Sequence, residues 1–269
     1  MKGMIFAGCS YTFGHGLWYY SELENIPYGD DFLSVLQTKT AYVKNMEAIR
    51  FPRLVARHFK KFEVVRKSTS GSEENSIDFL KLLFSDRPQH EEPHVTNDRL
   101  KYDEIEYIIF QTSYADRNTL IVNVDGEELH LRMRMDNEYF IFKTLEKIGI
   151  DTYDKFNEFM ANQLFIKLKT ELEFYESKGI KCRILSITND YIENIKEDNW
   201  MLERYIPIKY NDKIYDSVNE MCSENLFLLI KNDHETFGDE TPNDLHPSKL
   251  CHEIIANSII DKLESEKTK

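Results

Sequence analysis

Gly3-Met4-Ile5-Phe6-Ala7-Gly8-Cys9-Ser10-Tyr11-Thr12-Phe13-Gly14 begins as an apolar run, stops at a glycine and passes directly into a serine with glycines on both sides. Residues 3–8 read as a buried strand, because a short unbroken apolar run bounded by glycine suits a strand covered on both faces. A serine in the turn after such a strand exposes its hydroxyl at the carboxyl edge of the sheet. The neighbouring backbone amides are then placed to stabilise an oxyanion. Phe6-Ala7-Gly8-Cys9 also resembles the cleavage box of a lipoprotein signal. Its continuous apolar core runs only from Met4 to Ala7, short of the roughly 7–15 residues such a signal needs. The segment is therefore expected to stay in the mature protein as its first strand.

Working outward, 9–46 is rich in Tyr, Gly and Asp and reads as a long loop with a short helix. Residues 47–59 read as a helix, with Ile49, Leu54, Val55 and Phe59 at helical spacing and Pro52 near its start. Residues 62–66 read as the second strand, 73–84 as a helix and 106–111 as the third strand. From 117 to 135 the period changes. Leu120, Val122 and Val124 alternate, Asp125-Gly126 follows, and Leu129, Leu131 and Met133 alternate again. That is a hairpin signal, and it is expected to be an insertion at the rim of the site. Beyond it come a helix over 151–178 that ends at Gly179, a fourth strand over 181–187, a helix over 212–223 and a fifth strand over 225–230. A last helix over 248–264 carries Cys251, Ile254, Ile255, Ile259 and Leu263 on one face and is also lined by His252. The alternation predicts one α/β domain over 1–269, with a five-stranded parallel sheet between helices. Ligands of such sheets bind at the carboxyl ends of the strands.

The net charge of −13 over 269 residues argues against a broad phosphate-binding surface, since nucleic-acid affinity rests on Lys and Arg. It equally disfavours anionic membranes and leaves small neutral or carbohydrate-like substrates. No run approaches the roughly 20 apolar residues of a membrane span. Cys9, Cys182, Cys222 and Cys251 form no CxxC pair and read as buried reduced thiols of a cytoplasmic protein. The sequence is silent on oligomeric state.

Three segments that follow expected strands carry chemistry. The first is Gly8 to Gly14 with Ser10. The second is Ser70-Gly71-Ser72-Glu73-Glu74-Asn75, where a glycine lets a backbone N–H approach a substrate oxygen. The third is Asp244-Leu245-His246-Pro247, where a carboxylate near a histidine orients and stabilises the imidazole. The bland readings are a turn serine, a turn glycine, a helix-capping Asp244 and a surface His246. Three such segments at matching strand ends weigh against them.

These segments resemble the blocks of the SGNH (GDSL-type) hydrolases, in the divergent form seen in phage and bacterial genomes. GCSYTFG is similar to the first block, Gly71 with Asn75 to the second, and Asp244-Leu245-His246-Pro247-Ser248 to the last. The resemblance implies a flavodoxin-like three-layer sandwich. It further implies a serine esterase or deacylase acting on a carbohydrate O-acyl or small acyl ester, without metal or organic cofactor. Ser10 is the expected nucleophile, His246 its base and Asp244 the acid that holds the imidazole. The oxyanion hole is expected from Ser10, Gly71, Ser113 and Asn75. Two departures stand out. The third block reads Gln111-Thr112-Ser113-Tyr114-Ala115-Asp116 and lacks the family's asparagine, which leaves Ser113, Gln111 or Asn75 as candidates for that donor beside the backbone amides of Ser10 and Gly71. Asp244 lies two residues before His246 rather than three.

Other patterns are set aside. His90-Glu91-Glu92-Pro93-His94 matches the zinc motif HExxH in letters, but Pro88 and Pro93 oppose the helix it needs. Cys9 is expected to face the core. Trp18, Tyr19 and Tyr20 read as loop packing rather than a sugar platform. Two alternatives to the esterase reading stay open: a non-catalytic protein that kept the fold, and an acyltransferase that uses the same serine.

Overall fold

The computed structural model describes residues 2–13, 17, 48–65, 73–85, 100–124, 127–132, 138–146, 149–229 and 246–267. Four strands form a parallel sheet: β1 (Gly3–Ala7), β2 (Phe62–Val65), β3 (Ile105–Thr112) and, after a hairpin, β6 (Lys181–Ser186). Their spatial order is β2-β1-β3-β6. Counting only the parallel strands this is 2-1-3-4, the opening of the doubly wound order 2-1-3-4-5, whose direction reverses between the first and third strands.

Strand alternation divides the interior. Ile5 and Ala7 of β1, with Ile108 and Phe110 of β3, join one buried cluster. Met4 and Phe6, with Tyr107 and Ile109, join the other. The first cluster is covered by α3 (Glu73–Phe84), α4 (Glu138–Leu145) and α5 (Tyr153–Ser177). The second is covered by α2 (Phe51–His58), α8 (Val218–Glu224) and α9 (Lys249–Lys267). A sheet buried on both faces explains the unbroken apolar runs Met4–Ala7 in β1 and Tyr107–Phe110 in β3. The long α5 is capped by Thr152, whose hydroxyl accepts the Lys155 N–H at 3.4 Å. It closes at Gly179, where φ is +84° and the Ile180 N–H returns to the Tyr175 carbonyl at 3.2 Å.

The expected hairpin is present as β4 (Thr119–Val124) and β5 (Glu127–Arg132), antiparallel, with Val124 opposite Glu127 across Asp125 and Gly126. Its role differs from that of a detachable insertion. Leu120 and Leu131 are buried in the first core cluster, and Leu129 packs against it. Burying side chains of this size is worth about 1.5–3 kcal/mol each, so the hairpin is part of the core.

Of the fifth strand expected over 225–230, residue 230 lies outside the described residues, and 225–229 do not join the parallel sheet. Leu226–Leu228 form a 3₁₀ turn, and among the described residues the parallel sheet has four strands. Leu226 and Phe227 are 66% and 55% exposed while Leu228 is buried, which is not the burial of a central strand. The free edge of β6 is met instead by Tyr205, in a single parallel bridge to Ile184, with the Ile206 N–H on the Ile184 carbonyl at 2.8 Å. The helix expected over 212–223 starts later. Ile208–Tyr210 (β7) and Lys213–Tyr215 (β8) form a small hairpin around Asn211 and Asp212, at φ +47° and +61°. The helices α6 (Ile192–Glu197) and α7 (Asn199–Arg204) were not foreseen, nor was α4.

No helix among the described residues is long and apolar enough to cross a membrane. The cysteines are all free and buried, and Cys9 lies in the second cluster beside Met4 and Phe6.

Candidate active site

The chain leaves β1 at Gly8 and enters the short helix α1 (Ser10–Phe13) two residues later. A Cβ at position 8 would stand 2.2 Å from Thr12 Oγ1 and 2.7 Å from Gln111 Cβ, so the close packing of Thr12 and Gln111 leaves no room for a side chain there. The turn is then tied to its neighbours. The Thr12 hydroxyl donates to Gln111 Oε1, and Gln111 Nε2 donates to Cys9 Sγ at 3.3 Å. Ser76 of α3 donates to the Gly8 carbonyl at 3.3 Å. Ser10 is thereby held at the carboxyl end of β1, next to β3.

His246 comes to this place from the far end of the chain. Pro247 bridges Leu229 in antiparallel fashion, and the Ser248 N–H bonds the Leu228 carbonyl at 2.7 Å. Ser248 in turn caps α9, accepting the Cys251 N–H at 3.2 Å. So fixed, the half-buried His246 ring packs against the Tyr11 ring with centroids 5.4 Å apart, at 56°. Tyr11 is the residue after Ser10, so His246 packs against the immediate chain neighbour of Ser10. Burial first, then Tyr114, Cys9, Cys222 and Cys251, pushes the Tyr11 phenol up, which keeps it neutral.

The other expected site residues fare differently. Ser113 is 2% exposed, its hydroxyl is buried, and its carbonyl accepts the Thr188 hydroxyl at 3.2 Å. Asn75 is exposed in the first turn of α3. Gly71, Asp244, the Ser10 side chain, His90 to His94 and Trp18 to Tyr20 lie outside what the structure describes. Among the described residues, no cluster of three or more His, Cys, Asp or Glu side chains is arranged to hold a metal ion.

Sequence reasoning missed the polar floor between β3 and β6. Thr112 and Ser186 share a hydrogen bond of 2.8 Å, and Ser186 Oγ donates to the Thr188 carbonyl at 2.7 Å. Asp190 accepts the Ala115 N–H at 2.9 Å. Asn118, 1% exposed, donates to the Ala115 carbonyl at 3.1 Å and accepts the Glu74 N–H at 3.1 Å, tying the foot of the hairpin to α3. Tyr114 stands above this floor. Its hydroxyl accepts Asn219 Nδ2 at 2.8 Å, and the Arg117 guanidinium carbon lies 4.5 Å from its ring centroid. The only foretoken was the run Gln111 to Asn118, which is polar directly after an apolar strand.

His252, six residues past His246, is fully buried. Burial first, then Arg50 and His246, pushes its imidazole down to about 3. Its Nδ1 accepts the Phe51 N–H at 3.2 Å, and its ring stacks on Phe51. It is a neutral core imidazole that anchors α2 to α9. Comparison with protein-family models, curated proteins and solved structures finds no match to this chain.

Proposed function

We propose that this protein is a serine esterase or deacylase of the SGNH type, acting on a carbohydrate O-acyl or other small acyl ester. The observation that carries the reading is the meeting of His246 with Tyr11, directly beside Ser10, at the carboxyl end of β1. That end adjoins β3, where the strand order reverses and doubly wound sheets bind their ligands.

In this mechanism Ser10 Oγ attacks the ester carbonyl carbon while His246 takes its proton. The carbonyl oxygen becomes an oxyanion held by the backbone amides of Ser10 and Gly71. The C–O bond to the alcohol breaks, and His246 returns the proton to the departing oxygen. Water then attacks the acyl-serine by the same route in reverse, releasing acid and free Ser10. Asp244 keeps the imidazole oriented, and the chemistry calls for no cofactor.

The test is labelling with a fluorophosphonate probe and turnover of p-nitrophenyl acetate. The wild-type chain is expected to label and turn over, and folded Ser10→Ala to do neither. Equal activity in the two, at matched purity, removes Ser10 from the chemistry.

A further inference from the structure

Resting on the Ser10–His246 reading, we infer that Tyr114 is the side-chain donor of the oxyanion hole, filling the role for which the third block has no asparagine. Its O–H bonds the substrate carbonyl oxygen as negative charge develops there.

The argument begins with place. Tyr114 is the second residue past β3, at the entry to the 3₁₀ turn Ala115–Arg117. The turn of Ser10 follows β1, the neighbour of β3 in the sheet. The two residues therefore flank the point where the strand order reverses. The Tyr114 phenol also bears on Tyr11, being the second contributor to its raised pKa after burial, and Tyr11 packs against His246.

Hydrogen bonding selects Tyr114 from its neighbours. Gln111 is 2% exposed, gives one amide N–H to Cys9 and accepts from Thr12 at its oxygen. Asn118 is committed to Ala115 and Glu74. The Ser113 hydroxyl is buried. The Tyr114 oxygen accepts from Asn219 Nδ2, and among the described residues no acceptor takes its proton. A half-buried phenol in that state has a donor to offer outward.

Two neighbours strengthen that donor. A hydrogen bond received at the phenol oxygen polarises the O–H, as chained hydrogen bonds do. The Arg117 cation over the ring draws electron density from the phenol face. Asn219 is itself fixed, with its N–H on the Ile187 carbonyl at 2.9 Å, in the first turn of α8 behind the Ser217 cap. The hydroxyl is therefore preorganised, as transition-state stabilisation requires.

The experiment is steady-state hydrolysis of p-nitrophenyl acetate by the full chain, with melting temperature measured alongside. Tyr114→Phe keeps the ring under Arg117 and removes only the hydroxyl. It is expected to lower kcat about 10²-fold, the scale of one lost donor, with KM and melting temperature close to wild type. Asn219→Ala leaves the hydroxyl unsupported and is expected to lower kcat several-fold in the same manner; it decides the matter if Tyr114→Phe does not fold. Unchanged kcat, or a change in KM alone, in an enzyme that Ser10→Ala inactivates overturns the Tyr114 assignment and leaves Ser10 standing. A wild-type chain that neither labels nor turns over brings down the Ser10 reading, and Tyr114 with it.

Discussion

The two ends of the parallel sheet are built from different chemistry. At the amino end, ion pairs dominate. Arg183 Nε meets both Glu266 oxygens at 3.0 Å, Arg204 grips Glu176 at 2.5 and 2.9 Å, and Lys61 pairs with Glu106 at 2.5 Å. A groove of about 630 Å³ lined by Lys181, Arg183, Arg204 and Glu266 opens there. At the carboxyl end, hydroxyls, amides and phenols carry the contacts: Thr112, Ser186, Thr188, Asn118, Asn219 and Tyr114. Of the carboxylates there, Asp190 and Glu74 each accept a backbone N–H, and Glu74 also pairs with Lys167 at 3.2 Å. Both ends are polar, but an ion pair that keeps some contact with water is cheaper to break than a buried neutral network. Neutral donors with fixed geometry also suit a site where charge appears only in the transition state. The amino-end groove is thus the less promising place for the chemistry.

Asn118 puts the largest number on this contrast. Asn118→Ala removes the side chain that joins Ala115 to the Glu74 N–H at a position 1% exposed. It is expected to cost about 1–3 kcal/mol, the penalty of stranding buried polar groups. Urea unfolding measures it. A loss under about 0.5 kcal/mol, the level of a surface substitution, would mean that the floor is solvated and that the contrast between the ends fails.

Much of this was written in the local sequence. Residues 3–8 showed β1 because a doubly covered strand needs unbroken apolar residues, and α3 runs over the expected 73–84. Asp125-Gly126 announced β4–β5. Residues 225–230 misled because an apolar run does not say which of its members face inward; Leu226 and Phe227 do not. The late start of α8 was in fact encoded. Ser217 accepts the Glu220 N–H and Glu220 accepts the Asp216 N–H, a Ser-x-x-Glu cap that marks the helix start. Ser10 and His246 drew attention as candidates because each sits in a segment that resembles a family block. Tyr114 and Asn219 were not, because their bond joins residues 105 positions apart, and no local pattern encodes such a pair.

The buried imidazole extends the contrast to pH. His252 is held neutral, with its folded value near 3 against an ordinary value of 6.5. Below 6.5 the unfolded chain takes up a proton that the folded chain refuses, so stability falls as pH falls. The slope from this one group approaches about 1.4 kcal/mol per pH unit between 6.5 and 3, and vanishes above 6.5. Denaturant midpoints between pH 6.5 and 5 avoid most carboxylate titration. Wild type is expected to lose stability across that window and His252→Gln to show a flatter profile. Parallel profiles would mean that another group sets the slope.

The smallest effect belongs to the amino end. Arg204 and Glu176 form a bidentate pair, with side chains 16% and 22% exposed. Each partner also does something else. Arg204 stacks on Trp200, its guanidinium carbon 3.7 Å from the ring centroid, and bonds the Trp200 carbonyl at 2.7 Å. Glu176 accepts the Cys182 N–H at 3.2 Å. Single alanine substitutions would therefore report lost stacking and a stranded amide along with the ion pair. The double-mutant cycle of Arg204→Ala and Glu176→Ala isolates the charge term. Its coupling is expected to be about 0.5–1 kcal/mol and to shrink as salt rises and screens the pair. Such a value, below the cost of Asn118→Ala, keeps the two ends distinct. A coupling above about 2 kcal/mol that ignores salt would place Arg204 and Glu176 in a desolvated setting, and the amino end would then share the dry character of the carboxyl end.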